Sequence, residues 1–177
     1  MSRTWHLARR FATSLRARPL AEADRGFVLN ALQPEELACW ERLGRADQAE
    51  SVATGRAATG LLRGDADPDW ADPEWIAAAL LHDIGKAETS LGTVGRSFAT
   101  VAAMIVGQRR ARAWTGSFGR YVNHDELGSA RLAQAGARSA AVSWAAVHHR
   151  PERWARSGIP IEICRILATA DGEQVRQ

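Results

Sequence analysis

Residues 79–86 read ALLHDIGK and close the most apolar stretch of the chain, Trp75 to Leu81. An unbroken apolar run without polar alternation reads as a buried helix once it is longer than a typical strand. Asp72 and Pro73 supply a cap and a first turn, so the spacing predicts a helix over 73–83 that is buried nearly all round. That helix delivers His82 and Asp83 into the interior, with Lys86 just beyond. Burying such groups is costly unless they are paired or hold a cation, and the rest of the chain is read from that cost.

Working outward, helical punctuation recurs. Pro34 stands at a first-turn position, and further helices are expected at 46–62 (ended by Arg63-Gly64-Asp65), 94–106, 124–135, 138–149 and 161–174. Alternating strand patterns are missing from the sequence, so the expected fold class is all-α, in a single domain; 177 residues suffice to enclose a core. Residues 1–20 are Arg-rich and acid-free, as a transit peptide would be. However, Trp5, Ala8, Phe11, Ala12 and Leu15 fall at helical spacing and favour a helix that packs on the fold.

Polar residues recur on helix faces expected to point inward. Glu50 shares a face with Ala46, Ala49, Ala53, Ala57 and Leu61, all small or apolar. His124 opens its helix after Asn123 as a possible cap, with Gly128 one turn on permitting close backbone approach. His148 and His149 hang from the last turn of a helix that Pro151 terminates, where the helix dipole would push them toward protonation. Asp171 follows Cys164 and Leu167 at inward spacing. Imidazoles and carboxylates gathered from separate helices repel or stay uncharged at a cost unless a divalent cation holds them. A nitrogen and oxygen shell without thiolate suits Mn, Fe, Co, Ni or Zn.

Composition excludes several function classes. Cys39 and Cys164 have no paired spacing and read as two buried thiols. A formal net charge of +3 does not argue for a nucleic-acid partner, and Arg109, Arg110 and Arg112 read as a solvated charged surface. No apolar stretch approaches the roughly 20 residues of a membrane span, and the N-terminus has no signal-peptide core, so a cytoplasmic location is expected. The abundance of Ala and Arg, with Lys86 as the sole lysine, is attributed to a high-GC bacterial genome.

Taken in order, His82-Asp83-Ile84-Gly85-Lys86, His124 with Gly128, His148-His149 and Ala170-Asp171 resemble the HD-domain superfamily of metal-dependent phosphohydrolases, of the HDIG type, over about residues 45–173. The resemblance implies an HD-domain helical bundle at 45–177, with 1–44 as an N-terminal helical extension packing on the core. It implies two divalent ions, one held by His82, Asp83 and Asp171, and a second held by His124, His148 and His149, with Asp83 bridging them. Asp83 and Lys86 would be the catalytic residues, with Lys86 and Arg96 facing substrate phosphate. The implied activity is hydrolysis of a small phosphate ester or nucleotide by a metal-bridged hydroxide.

Two departures from the family pattern bear on function. Where the family carries a His, about thirty residues before the His-Asp pair, this chain has Glu50 followed by Ser51. Glu50 is expected to remain an oxygen ligand favouring harder ions; the alternative is a catalytically silent fold that binds a nucleotide or a partner. In addition, HHRPERWARSGIP lacks the Gly-Tyr-Pro signature of the cyclic-di-GMP phosphodiesterase branch, which disfavours that substrate.

Overall fold

The computed structural model describes residues 19–64, 72–89, 91 and 93–172, apart from the side chains at 93, 94, 96, 97, 104, 108 and 109. The helix expected over residues 1–20 therefore falls almost wholly outside the described residues, and the side chains of Arg96 and Arg109 fall outside them as well. The described residues form ten α-helices: α1 Glu22–Ala31, α2 Pro34–Trp40, α3 Arg45–Gly64, α4 Pro73–Leu81, α5 Thr93–Val106, α6 Gln108–Ala111, α7 Gly116–Val122, α8 His124–Ala135, α9 Ser139–Val147 and α10 Ile161–Ala170. Two 3-10 turns join them, Ile84–Glu88 after α4 and Pro151–Arg156 after α9. The fold class is all-α, as the sequence indicates.

Helix α4 is the axis of the fold. Asp72 caps it by accepting the Glu74 N–H at 2.9 Å, Pro73 fills the first turn, and Ala77 to Leu81 are all fully buried. Its two sides feed two cores. Ala77, Leu80 and Leu81 pack with Val28, Leu32, Trp40, Val52, Leu132 and Ala145, while Ala78 and Ala79 pack with Leu62, Trp144, Trp154, Ile163 and Leu167. Enclosing Leu80 and Leu81 contributes about 1.5–3 kcal/mol each. Both cysteines are free and buried, as expected.

Helix α3 corrects the face read from sequence. Ala49, Ala53, Ala57 and Leu61 are exposed, and the buried stripe is instead Ser51, Val52, Thr54, Gly55, Ala58 and Leu62. Buried polar groups are tolerated there because they are bonded: Ser51 Oγ accepts the Trp40 indole N–H at 2.8 Å and donates to the Leu80 carbonyl at 2.6 Å. Glu50 lies at the margin of this stripe, half-buried.

Helices α8 and α9 form an antiparallel hairpin. Gly136 ends α8 in the left-handed conformation (φ 76°), and the Ala137 N–H returns to the Leu132 carbonyl at 3.0 Å. At the other end of the hairpin, the turn after α4 runs against the start of α8. A Cβ on Gly85 would sit 1.9 Å from the His124 carbonyl oxygen, and one on Gly128 would sit 2.8 Å from the Gly85 nitrogen. Only two glycines allow this backbone approach, and it sets Asp83 beside His124.

Candidate metal centre

Three histidines reach the centre by the same local device. His82 follows the end of α4, His124 the end of α7 and His148 the end of α9. Helix ends leave last-turn carbonyls open. His82 Nδ1 donates to the Ala79 carbonyl at 2.8 Å, His124 Nδ1 to that of Tyr121 at 2.7 Å, and His148 Nδ1 to that of Ala145 at 2.9 Å. A carbonyl can only accept, so each Nδ1 carries a proton, and Nε2 is the nitrogen that each ring turns to the centre and offers as a lone pair when the ring is neutral.

Those lone pairs converge on carboxylate oxygen. Asp83 Oδ1 lies 3.0 Å from His124 Nε2 and 3.7 Å from His148 Nε2. Asp83 Oδ2 lies 3.3 Å from His82 Nε2, which is also 3.3 Å from Asp171 Oδ1. The three Nε2 atoms and Asp83 Oδ1 are buried without a hydrogen-bond partner among the described residues. Acceptors facing acceptors in a buried space call for a cation, and this donor set of neutral imidazole and carboxylate suits a borderline divalent ion. One potential ligand atom from each of Asp83, His124, His148 and His149 falls within 4.8 Å of the others, so these four could hold one ion. His149 is the exposed member of the four, and the other three are buried.

The remaining expected residues sit around this cluster. Asp171, at the end of α10, reaches it through His82. Lys86 pairs with Asp83 Oδ2, and its Nζ is 3.8 Å from Glu50 Oε2, so Glu50 adjoins the centre through Lys86.

The electrostatics follow from burial and neighbours. Burial alone would lower the pKa of His82, but Asp83 and Asp171 outweigh it and hold the imidazole well above its usual range. Burial would raise the pKa of Asp83, yet Lys86 and His82 drive it well below the carboxylate range. His148 corrects the expectation from the helix dipole. Burial and the adjacent His149 push its pKa down rather than up, so this imidazole is disposed to be a neutral ligand.

A supporting network was not anticipated from the sequence. Asp125 is buried and accepts two hydrogen bonds from Arg112, from Nη2 at 2.7 Å and Nη1 at 3.2 Å. Burial would raise its pKa, but Arg112 brings it down to about 2. Arg112 is thus a pairing residue and not the solvated surface charge expected. The Asn123 amide also departs from expectation, donating back to the Arg112 and Gly119 carbonyls instead of capping α8. An acid directly after a site histidine was the one available signal, and it has no partner visible nearby in sequence.

Among the described residues, no helix is long and apolar enough to cross a membrane. Comparison with curated proteins and with solved structures finds no match. Comparison with protein families matches residues 51–175 to the HD domain, a stretch that takes in every residue of the cluster. The chain belongs to the HD domain family, in which metal-dependent phosphohydrolases are grouped.

Proposed function

We propose that this chain is a metal-dependent phosphohydrolase acting on a small phosphate ester or nucleotide. The observation that carries the reading is the convergence of the buried Nε2 atoms of His124 and His148 on Asp83 Oδ1, with His82 on the other carboxylate oxygen. In this reading His82, Asp83 and Asp171 hold one divalent ion, and Asp83, His124, His148 and His149 hold a second. Such ions, when bound, supply Lewis acidity toward phosphoryl oxygen and make water a nucleophile near neutral pH.

The chain's own residues do the remainder. Asp83 presents both oxygens to the centre, and Asp171 Oδ1 faces the same Nε2 of His82 as Asp83 Oδ2 does. Lys86, resting on Asp83 and close to Glu50, is placed to turn its ammonium toward a substrate phosphoryl oxygen and offset charge there. Arg96 is assigned the same role, as a second cation that offsets charge on the phosphoryl oxygens. Glu50 completes the first ion's surroundings through oxygen in place of the family's histidine. The same reading keeps 1–44 as an extension on a domain of 45–177, supported by Trp40 sharing one core with Leu80, and places the protein in the cytoplasm.

Phosphate release from mononucleotides, cyclic nucleotides and sugar phosphates, screened with Mn, Co, Ni and Zn, tests the proposal. Hydrolysis should require metal, and Asp83→Ala should abolish it and remove most bound metal. If elemental analysis finds well under one ion per chain and added Mn or Co restores nothing, the silent, ligand-binding fold is the correct reading.

A further inference from the structure

Helices α8 and α9 are joined by a short loop at the end of the hairpin away from His124 and His148. Twelve residues of α8 place that loop about 18 Å from His124. Chain connectivity therefore does little by itself to fix the separation of the ends that carry the imidazoles; the two helices share a core through Leu132, Ala141 and Ala145, and a side-chain tie joins them at the imidazole end. Asp125 Oδ2, in the first turn of α8, lies 2.9 Å from Arg150 Nη2, in the turn directly after His149. The same Nη2 donates to Glu126 Oε1 at 2.7 Å. Arg112 takes both oxygens of Asp125, and its Nη1 also donates to Asn123 Oδ1 at 3.2 Å, the residue before His124.

Local bonding to the helix backbone would need only one of these oxygens, and the Glu126 N–H on Oδ1 at 2.9 Å already provides it. Two guanidiniums on one buried carboxylate instead brace three segments: the stretch after α6, the start of α8 and the turn after α9. We propose that Asp125 is a positioning residue for the metal centre, which through Arg150 holds the His148-His149 turn at the spacing from His124 that a shared divalent ion requires. The inference rests on the metal-site reading above but concerns residues that are not ligands in it.

The test is Mn2+ titration of the full chain by calorimetry, with the binding step lost in His124→Ala marking the relevant half-site. Asp125→Asn keeps the shape and removes the charge. It should weaken that step about 10–100-fold, leaving the other step and the far-ultraviolet circular dichroism unchanged. Glu36→Gln removes a comparable buried charge pairing with Arg138, roughly ten residues of helix from His148, and should leave both steps as in the wild type. Arg150→Lys should retain more affinity than Arg150→Gln, and that pair decides the point if Asp125→Asn does not fold.

Wild-type affinity in a folded Asp125→Asn chain, an equal loss in Glu36→Gln, or no difference between the two Arg150 variants would overturn the assignment. Failure of the wild type itself to bind Mn2+ would remove the metal-site reading, and this one with it.

Discussion

Gly85→Ala tests how the centre is assembled. The added methyl would meet the His124 carbonyl oxygen at 1.9 Å, its carbon at 2.7 Å and the Gly128 nitrogen at 2.8 Å. The first of these is about 1.5 Å short of ordinary van der Waals contact. All three atoms are backbone, so no side chain can rotate away, and the turn must separate from α8. Overpacking a core costs about 1–3 kcal/mol when side chains can adjust; with backbone on both sides the cost should reach about 3 kcal/mol or more. For a chain of this size that lowers Tm by roughly 6–12 °C.

The same separation draws Asp83 Oδ1 away from His124 Nε2, now 3.0 Å apart, so metal affinity should fall about 10–100-fold along with stability. Gly136→Ala is the control. It is strained by its positive φ but has open space around the new Cβ, so it should cost about 1 kcal/mol and leave metal binding alone. Thermal unfolding and Mn2+ titration of both variants read the two quantities. If Gly85→Ala melted with the wild type, or lost stability while keeping full metal affinity, the coupling of turn to centre would be refuted.

Metal affinity should depend on pH through His82. Asp83 and Asp171 hold its pKa well above the usual value, so below that raised value an ion must displace a proton from Nε2. Affinity then falls about tenfold for each unit that pH drops, and a profile that stays flat as pH falls below about 6.5, the ordinary histidine value, would contradict this assignment. Glu36 should matter for stability and not for the centre. It is fully buried, accepts from Arg138 Nη2 at 2.5 Å and Nε at 2.9 Å, and completes the α2 capping box. Glu36→Ala should cost about 3–5 kcal/mol in denaturant unfolding by stranding Arg138. Burial would raise the Glu36 pKa, but Arg138 and the Gln33 N–H lower it below 4.5. Its contribution is therefore present above pH 4.5 and lost as pH falls through the folded value, which an acid titration of wild type against variant will reveal. Glu50→His should raise metal affinity if position 50 faces an ion; unchanged affinity and stoichiometry would remove Glu50 from the ligand set.

What the sequence disclosed and what it hid divide along a physical line. Helix α4 was legible because cap, proline and apolar run all point to the same element, and the fold buries it on both sides. Helices α6 and α7, with four and seven residues, are too short for periodicity to register. The face of α3 was misread because small size was taken as the sign of burial. Ser51 is buried instead, since Trp40 and Leu80, 11 and 29 residues away, satisfy its hydroxyl, and partners at such distances leave no trace in a local window. The same holds for Glu36 with Arg138, 102 residues apart, and for Asp125 with Arg112 and Arg150.

The candidate ligands were recoverable for the opposite reason. Each of His82, His124 and His148 is oriented by a carbonyl three residues earlier, at the end of the helix that precedes it. That bond depends only on where the helix stops, which proline, glycine and caps announce. Ring orientation is thus settled locally, whereas the distance between rings is settled by the glycine contact at Gly85 and by the arginines around Asp125. A sequence can therefore nominate the atoms that point inward; how far apart they stand depends on contacts between residues distant in the chain. Gly85→Ala and Asp125→Asn are the substitutions that separate these two contributions, because each leaves every imidazole bonded to its own carbonyl and changes only how the segments that carry them are held together.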